Sequence, residues 1–418
     1  MSEEQQFQAK QVHLPGMAGL GRNVGFGCNK VFAAALLQSL AVSQPVIGLI
    51  LGLEGLLGIL LNPLTGYISD RTRKTGFRRK VYLLICFPMA AITWLVFCQT
   101  HDLVVSLVAL CLFYVFQQGS ISPYQAWMPG LIPQRFWGLA SGYLNLWWQT
   151  GNLVAFLVIP LVWGLSHTGA YVFTAVLIAT CGMITVIGVP EQGSVAVNEE
   201  QHDRPIVRPS YRPLFRGNLI LYYIAQTLAW LSFESIASFF TLYIVHSVHG
   251  SLMDSALAMS LYTFMGMVAA VFVGKAYRRF APRHLLVTSF GLFGILALSG
   301  LWVHSLLLVF MLVGVEGIFW AATLTVSYAL ATDLLRETTR DEAQENDLRG
   351  GLYGLNNVVQ SIGLLVAAPL AGYVIHASGG EYKDMFIVSG VSSLVAIVFV
   401  LLIRSKAVPE QMTEDLQA

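Results

Sequence analysis

The sequence is short of charged residues. Its 418 residues include 24 Lys and Arg and 23 Asp and Glu, so charged residues make up only 11% of the chain. Soluble globular proteins carry about 25% charged residues, whereas 56% of this chain is apolar. This scarcity excludes an ordinary soluble protein and predicts a membrane protein. The net charge of +1 also argues against a nucleic-acid partner.

The sequence also lacks the patterns of metal sites, disulfides and covalent catalysis. Its five Cys residues lie inside apolar segments and have neither metal-ligand nor disulfide spacing. Because no nucleophile–base pattern is visible, we expect neither an enzyme nor a cofactor. Residues 1–12 are polar and lack the basic-then-apolar order of a cleaved signal peptide, which predicts an N-terminal tail that stays in the cytoplasm.

Long apolar segments fill most of the chain. A helix needs about 20 predominantly apolar residues to cross a bilayer, and it satisfies its own backbone hydrogen bonds in lipid. The sequence therefore predicts an all-α, polytopic membrane protein with about twelve transmembrane helices. Their predicted extents are 22–42, 46–68, 80–99, 103–127, 138–163, 169–189, 218–244, 254–274, 284–303, 306–332, 350–375 and 384–403.

The placement of charge predicts the orientation of these helices. Loops of one parity hold nearly all the Lys and Arg residues, and the opposite loops hold only Lys383. By the positive-inside rule, both termini are cytoplasmic in a plasma (inner) membrane.

The longest polar stretch predicts two related halves. Residues 190–217 are rich in charge and proline, which indicates a cytoplasmic linker between six-helix halves at 1–189 and 218–418. Residues of the first half recur in the second at one offset, as expected of a transporter built from repeats: Gly138 with Gly350, Gly142 with Gly354, Asn145 with Asn357 and Gly151 with Gly363.

A basic turn follows the second predicted helix. It carries, in order, Gly66, Asp70, Arg71, Gly76, Arg78 and Arg79. This pattern and the twelve-helix layout resemble the major facilitator superfamily over almost the whole chain. The long spacing from Arg71 to Gly76, with Pro63 before Gly66, resembles the glycoside–pentoside–hexuronide and sucrose-transporter branches. The resemblance implies a secondary transporter that works by alternating access.

The same resemblance implies a cytoplasmic gate. In the superfamily, the Asp and Arg residues of this turn help to hold the two halves together. Carried onto this chain, Asp70 is expected to meet the start of helix 11 near Arg349 and Gly350, where a carboxylate beside a helix N-terminus gains about 0.3–1 kcal/mol. Other basic residues of the turn either share this role or only set topology and contact membrane lipids.

Four ionisable residues lie well inside predicted helices: Lys30, Glu54, Glu234 and Glu316. Burying such a charge costs at least about 2.5–3.5 kcal/mol, so we expect each to be paired or hydrated and functional. Lys30 and Glu54 lie close enough in depth to pair, either as a structural ion pair or in ion coupling. Burial disfavours an ionised carboxyl, so Glu316 and Glu234 are candidate proton carriers or structural hydrogen-bonding groups. The predicted coupling ion is a proton, with sodium as the alternative.

Amide and aromatic side chains recur at similar depths in several predicted helices. The predicted cavity residues are Gln117, Gln118, Asn145, Trp148, Gln149, Trp230, Asn356, Asn357 and Gln360. Amides bind hydroxyl groups and aromatic faces cover sugar rings, so these residues favour a sugar or glycoside as the small-molecule substrate. About half of the amides are instead accounted for by hydrogen bonds between helices.

Three functions remain open at this point. Proton-coupled symport of a sugar, glycoside or similar polar solute is preferred. The first alternative is efflux of drugs or metabolites by proton antiport, with an apolar aromatic cavity and structural amides. The second is a membrane assembly or delivery factor that has the same fold and transports nothing.

Overall fold

Helices make up all the regular structure in the described part of the chain. The computed structural model describes residues 10–71, 79–127, 137–189, 211–277, 279–339 and 342–403. The helices are α1 (Lys10–Ser39), α2 (Gln44–Arg71), α3 (Lys80–Gln99), α4 (Leu103–Gly119), α5 (Ile121–Trp127), α6 (Trp137–Leu153), α7 (Ile159–Leu165), α8 (His167–Gly188), α9 (Asn218–His246), α10 (Leu252–Ala276), α11 (Pro282–Ser299), α12 (Leu306–Thr338), α13 (Glu342–Ala377) and α14 (Met385–Leu402). The all-α prediction is confirmed.

These helices form twelve long segments. Helix α5 continues α4, and a π-helical turn at Val154–Val158 joins α6 to α7. Within the described residues, eleven segments are long and apolar enough to cross a membrane. The twelfth is α1, which has 30 residues but carries several polar and charged side chains in its middle, including Asn23, Asn29 and Lys30. Every predicted transmembrane helix therefore has a counterpart.

Helix α1 begins well before the predicted residue 22, because buried contacts hold its first turns. Thr185 Oγ1 of α8 donates to the Leu14 carbonyl oxygen at 2.7 Å and accepts from the Ala18 amide at 2.9 Å. The Tyr124 hydroxyl donates to the Pro15 carbonyl oxygen at 3.0 Å. Hydropathy alone misses this start, because side chains of neighbouring helices satisfy its backbone groups.

Helix α13 also begins earlier than predicted, at Glu342 instead of residue 350. Arg349 and Gly350 therefore lie about two turns inside the helix. The expected stabilisation of Asp70 by a helix N-terminus at Arg349 is wrong for this reason, since the helix dipole acts within the first turn.

Two glycines of the predicted internal repeat have matching packing roles. A Cβ atom at Gly151 would lie 2.4 Å from the Leu20 carbonyl oxygen, so α6 contacts the backbone of α1 there. A Cβ atom at Gly363 would lie 2.6 Å from the Trp230 Cβ atom, so α13 contacts α9 in the same close way. Each pair combines the first and fifth long segments of one predicted half.

Helices α2 and α13 pack directly against each other. A Cβ atom at Gly48 would lie 2.3 Å from the Ala368 carbonyl oxygen, and one at Gly55 would lie 2.3 Å from the Leu365 amide nitrogen. This contact joins the two predicted halves, and Glu54 is the neighbour of Gly55 on α2. Of the predicted linker at 190–217, residues 190–210 lie outside the described residues, so the domain boundaries stay a prediction.

Candidate functional site

Lys30 of α1 lies between two carboxyl groups. Its Nζ atom donates to Glu54 Oε2 of α2 at 3.2 Å and also donates to Glu234 Oε1 of α9. All three side chains are buried, with residue exposures of 7%, 4% and 2%. We call Lys30, Glu54 and Glu234 the charged triad. It links the first predicted half to the second, because Glu234 lies 204 residues after Lys30.

Both oxygens of Glu54 have hydrogen-bond donors. Asn29 Nδ2 donates to Oε2 at 3.4 Å, and Gln118 Nε2 donates to Oε1 at 3.4 Å. The Tyr114 hydroxyl holds Asn29 in place by donating to its Oδ1 atom at 3.1 Å. With Lys30 as well, these donors hold the Glu54 carboxyl group in place between α1 and α4.

Only one carboxylate oxygen of Glu234 has hydrogen-bond partners among the described residues. Oε1 accepts from Lys30 and from Ser238 Oγ at 3.0 Å. Oε2 is buried and has no hydrogen-bond partner among the described residues. With both carboxyl groups ionised, the triad would carry +1 − 1 − 1 = −1. A net charge is costly in an apolar interior, and the positive charge of Arg22, which acts on Glu54, offsets it.

Glu316 of α12 lies apart from the triad. It is 2% exposed, and none of the ion pairs among the described residues includes it. It lines a cavity of about 20 Å³ with Phe233, Tyr262 and Phe293. In the described part of the chain, Glu316 Oε1 and the Tyr262 hydroxyl have no hydrogen-bond partner. The structure thus separates two carboxyls that the sequence treated alike.

An aromatic wall lies beside this small cavity. Phe233 stacks on Trp320 with ring centroids 4.5 Å apart, and Trp230 meets Trp320 edge-on at 5.0 Å. Both tryptophans therefore pack within one aromatic cluster between α9 and α12.

Comparison with known proteins identifies the family. A family model described as Major Facilitator Superfamily matches residues 17–340 and, in a second match, residues 222–415. The chain belongs to the major facilitator superfamily. A comparison with curated proteins finds no match.

Solved structures of major facilitator transporters share this fold. The nucleoside transporter NupG is 13% identical, with a TM-score of 0.72 over 96% of this chain and 100% of that one. A mutant form of NupG gives 14% identity and a TM-score of 0.73 over 94% and 100%. A bacterial homolog of the human lysosomal transporter Spinster, inward-facing and occupied, gives 14% and 0.68 over 96% and 98%. The predicted major facilitator fold is confirmed.

The predicted cavity residues of this major facilitator protein have different surroundings. Gln118 bonds to Glu54, as described above, while Gln117 Nε2 is buried without a hydrogen-bond partner among the described residues. Asn357 Nδ2 of α13 donates to Gln125 Oε1 of α5 at 2.8 Å, so this amide joins two helices.

The other predicted cavity residues lie on α6, α9 and α13. Asn145 is exposed, and Gln149 Oε1 accepts from Asn152 Nδ2 at 3.0 Å. Trp148 is half-buried against Tyr124, with ring centroids 6.4 Å apart. The remaining members of the set are Trp230 in the aromatic wall, the buried Asn356 and the half-buried Gln360. These contacts divide the predicted set between the triad, helix joints and the surface.

The predicted gate motif is only partly described. Gly66 lies inside α2 opposite Ser122 of α5, and Arg79 directly precedes α3. Gly76 and Arg78 lie outside the described residues. Only the backbone of Asp70, Arg71 and Arg349 is described.

Sequence reasoning missed three polar neighbours of the triad. Ser238 lies four residues after Glu234 and therefore on the same helix face, so its spacing offered a signal. Asn29 adjoins Lys30 in sequence. Tyr114 had no such signal, because its contact with Asn29 depends on how α4 is rotated against α1.

Proposed function

We propose that this chain is a secondary active transporter that moves a small polar solute together with a proton by alternating access. The observation that carries the proposal is the charged triad, in which Lys30 of the first half binds Glu234 of the second. Alternating access moves the two halves against each other around a central site. Opening of the protein at this level therefore separates Lys30 from Glu234.

That separation links protonation to conformation. Lys30 and Glu54 both belong to the first half and stay together when the halves part. Glu234 then keeps only Ser238, and an ionised carboxylate without its cation is costly in a buried site. Glu234 is therefore expected to bind a proton before the halves separate and to release it when Lys30 returns. One proton crossing 100 mV supplies about 2.3 kcal/mol, which supports about fortyfold accumulation of a neutral solute.

We further propose that the solute is a sugar or glycoside. Buried amides near the triad and the aromatic wall at Trp230 and Trp320 suit a ring that carries hydroxyl groups. The solved nucleoside transporter NupG has the same fold, and a nucleoside is a glycoside of a nitrogen base. This shared fold supports the proposed substrate class.

Proton-driven uptake into proteoliposomes tests the function. We expect an inward proton gradient to drive accumulation of a labelled member of a sugar and nucleoside panel, and addition of that solute to make the outer medium more alkaline. Glu234→Gln should lose gradient-driven accumulation while retaining solute exchange. Solute leaving in exchange for entering protons would instead support efflux. No flux, together with a stable protein partner, would support the assembly role.

Orientation and gating complete the proposal. We propose that both termini lie in the cytoplasm, on the side of the basic loops, and that the membrane is a plasma (inner) membrane. Asp70 is proposed to help close the cytoplasmic side, with Arg71, Arg78, Arg79 and Arg349. Asp70→Asn should leave membrane insertion intact and lower the transport rate. An unchanged rate in correctly inserted protein would remove the gate role.

A further inference from the structure

Helices α1 and α9 meet a second time at their ends, on the predicted outer side of the membrane. Gln38 Oε1 of α1 accepts a hydrogen bond from His246 Nε2 of α9 at 2.8 Å, since an amide oxygen can only accept. Gln38 Nε2 donates to the Tyr382 hydroxyl at 2.7 Å, and Gln44 Nε2 of α2 donates to the same hydroxyl at 3.4 Å. We call this cluster of Gln38, Gln44, His246 and Tyr382 the outer latch.

The outer latch joins the two predicted halves. Its two glutamines belong to the first half, and His246 and Tyr382 belong to the second. The Tyr382 ring stacks on the His246 ring, with centroids 5.3 Å apart and planes 20° apart. Positive φ angles of 87° and 93° at Gly379 and Gly380 turn the chain after α13, so that Tyr382 meets α9. Tyr382 is therefore a fixed part of the second half that accepts hydrogen bonds from the first.

The helix faces between the charged triad and the outer latch are packed together. On α1, Ala34 lies four residues after Lys30 and four before Gln38, so it shares their side of the helix. On α9, Leu242 lies four residues before His246 and shares its side. Ala34 and Leu242 are each 1% exposed. The space between the triad and the latch is therefore filled at these two helices.

The latch has a packed side and a side that water reaches. A Cβ atom at Gly372 would lie 2.5 Å from the Gln44 carbonyl oxygen, so the α13 backbone rests against the start of α2. His246 is exposed, and with Tyr382 it lines a cavity of about 250 Å³ whose lining residues all belong to the second half. Water can therefore replace the hydrogen bonds of the latch when they break.

We propose that the outer latch is the outer gate of the transport cycle and that Tyr382 is its central residue. This inference rests on the proposed transport function, because a gate has a role only in a cycle that opens to both sides. Neutral hydrogen bonds contribute modestly because water replaces them, so the latch biases two states of similar energy and still opens in every cycle. One Tyr382 oxygen accepts from both glutamines, so its loss should release both.

Thiol labelling of intact cells that express the full chain tests the gate. Ala34→Cys places a reporter between the latch and the triad, where a membrane-impermeant maleimide reaches it only when the outer side opens. Adding Tyr382→Phe should speed its labelling about tenfold, which corresponds to about 1.4 kcal/mol in the opening equilibrium. One or two neutral hydrogen bonds supply that much. Labelling of the parent chain, with its five native Cys, gives the background.

Tyr373→Phe is the matched control for Tyr382→Phe. Tyr373 is 64% exposed near the end of α13, so its hydroxyl should not affect labelling. If Ala34→Cys does not fold, Leu242→Cys places the reporter on α9 instead. A latch that only stabilises the fold would lower Tm in Tyr382→Phe without changing the labelling rate. Equal labelling rates with and without Tyr382→Phe in a folded reporter protein would therefore overturn the proposal.

Proton movement separates this inference from the transport proposal. Labelling needs neither a solute nor a proton gradient, so it reports on the latch alone. Unchanged labelling in Tyr382→Phe, together with solute-linked proton movement in proteoliposomes, would overturn the gate and leave the transport proposal intact. Faster labelling in Tyr382→Phe, without solute-linked proton movement in the wild type, would overturn the transport proposal and keep the latch as a contact that closes the outer side.

Discussion

Glu234 and Glu316 are buried to the same degree, each 2% exposed, yet their surroundings differ. Glu234 meets Lys30 from the opposite half, whereas Glu316 lines an aromatic cavity whose lining residues all belong to the second half. In the proposed transport cycle, movement of the halves changes the partner of Glu234 and leaves the surroundings of Glu316 unchanged. Burial alone therefore does not identify a coupling residue in this molecule. The contact with a charged partner in the other predicted half is what makes Glu234 the proposed coupling residue.

Removing Lys30, the cation that Glu54 and Glu234 share, should have the largest effect on the stability of the protein. Lys30→Met removes the cation that contacts both Glu54 and Glu234, and we expect it to destabilise the protein by about 3–5 kcal/mol. Lys275→Met is the surface control, since Lys275 is exposed at the end of α10, and it should cost less than about 0.5 kcal/mol. The measurement is the unfolding midpoint of the purified protein in detergent.

The double variant Lys30→Met/Glu234→Met sharpens this test. It removes one charge of each sign, so it should be more stable than Lys30→Met alone. Equal midpoints for Lys30→Met and Lys275→Met would show that the triad does not need its cation.

Replacing each glutamate by glutamine, an amide of nearly the same shape, tests the roles of the two carboxyl groups separately. Glu234→Gln should reduce proton-driven accumulation from about fortyfold at 100 mV to none, because the amide cannot exchange the proton. Glu316→Gln should leave the coupled proton count unchanged, because none of the residues that line its cavity lies in the other half. The measurement is the ratio of protons to solute in proteoliposomes. The reverse result would move coupling to Glu316 and leave the triad as a structural ion pair.

The sequence was sufficient to predict most of the fold. A helix that crosses lipid must be long and apolar, so the extents of α3 and α9 are visible in hydropathy alone. The starts of α1 and α13 were wrong because they depend on tertiary contacts, such as Thr185 bonding to the first turns of α1.

The candidate site was less predictable than the fold. The high cost of a buried charge singled out Lys30, Glu54, Glu234 and Glu316, but it could not say which of them meet. Hydropathy does not determine how a helix is rotated about its axis, so the contact between Lys30 and Glu234 needed the structure.

The smallest expected effects come from two hydroxyl groups, one beside each of the two glutamates. Ser238 donates to Glu234 Oε1 at 3.0 Å, so Ser238→Ala should lower stability by about 1 kcal/mol and weaken proton-driven uptake modestly.

The Tyr262 hydroxyl, which lines the Glu316 cavity, has no hydrogen-bond partner among the described residues. Tyr262→Phe should therefore be neutral or slightly stabilising in thermal unfolding, because removing an unpaired buried polar group costs nothing. A loss in Tyr262→Phe equal to that in Ser238→Ala would mean that Tyr262 is bonded to Glu316 through water, since the cavity of about 20 Å³ admits one molecule. Glu316 would then have polar partners as Glu234 does. The two carboxyl groups would differ only in that Glu234 contacts Lys30 of the other predicted half.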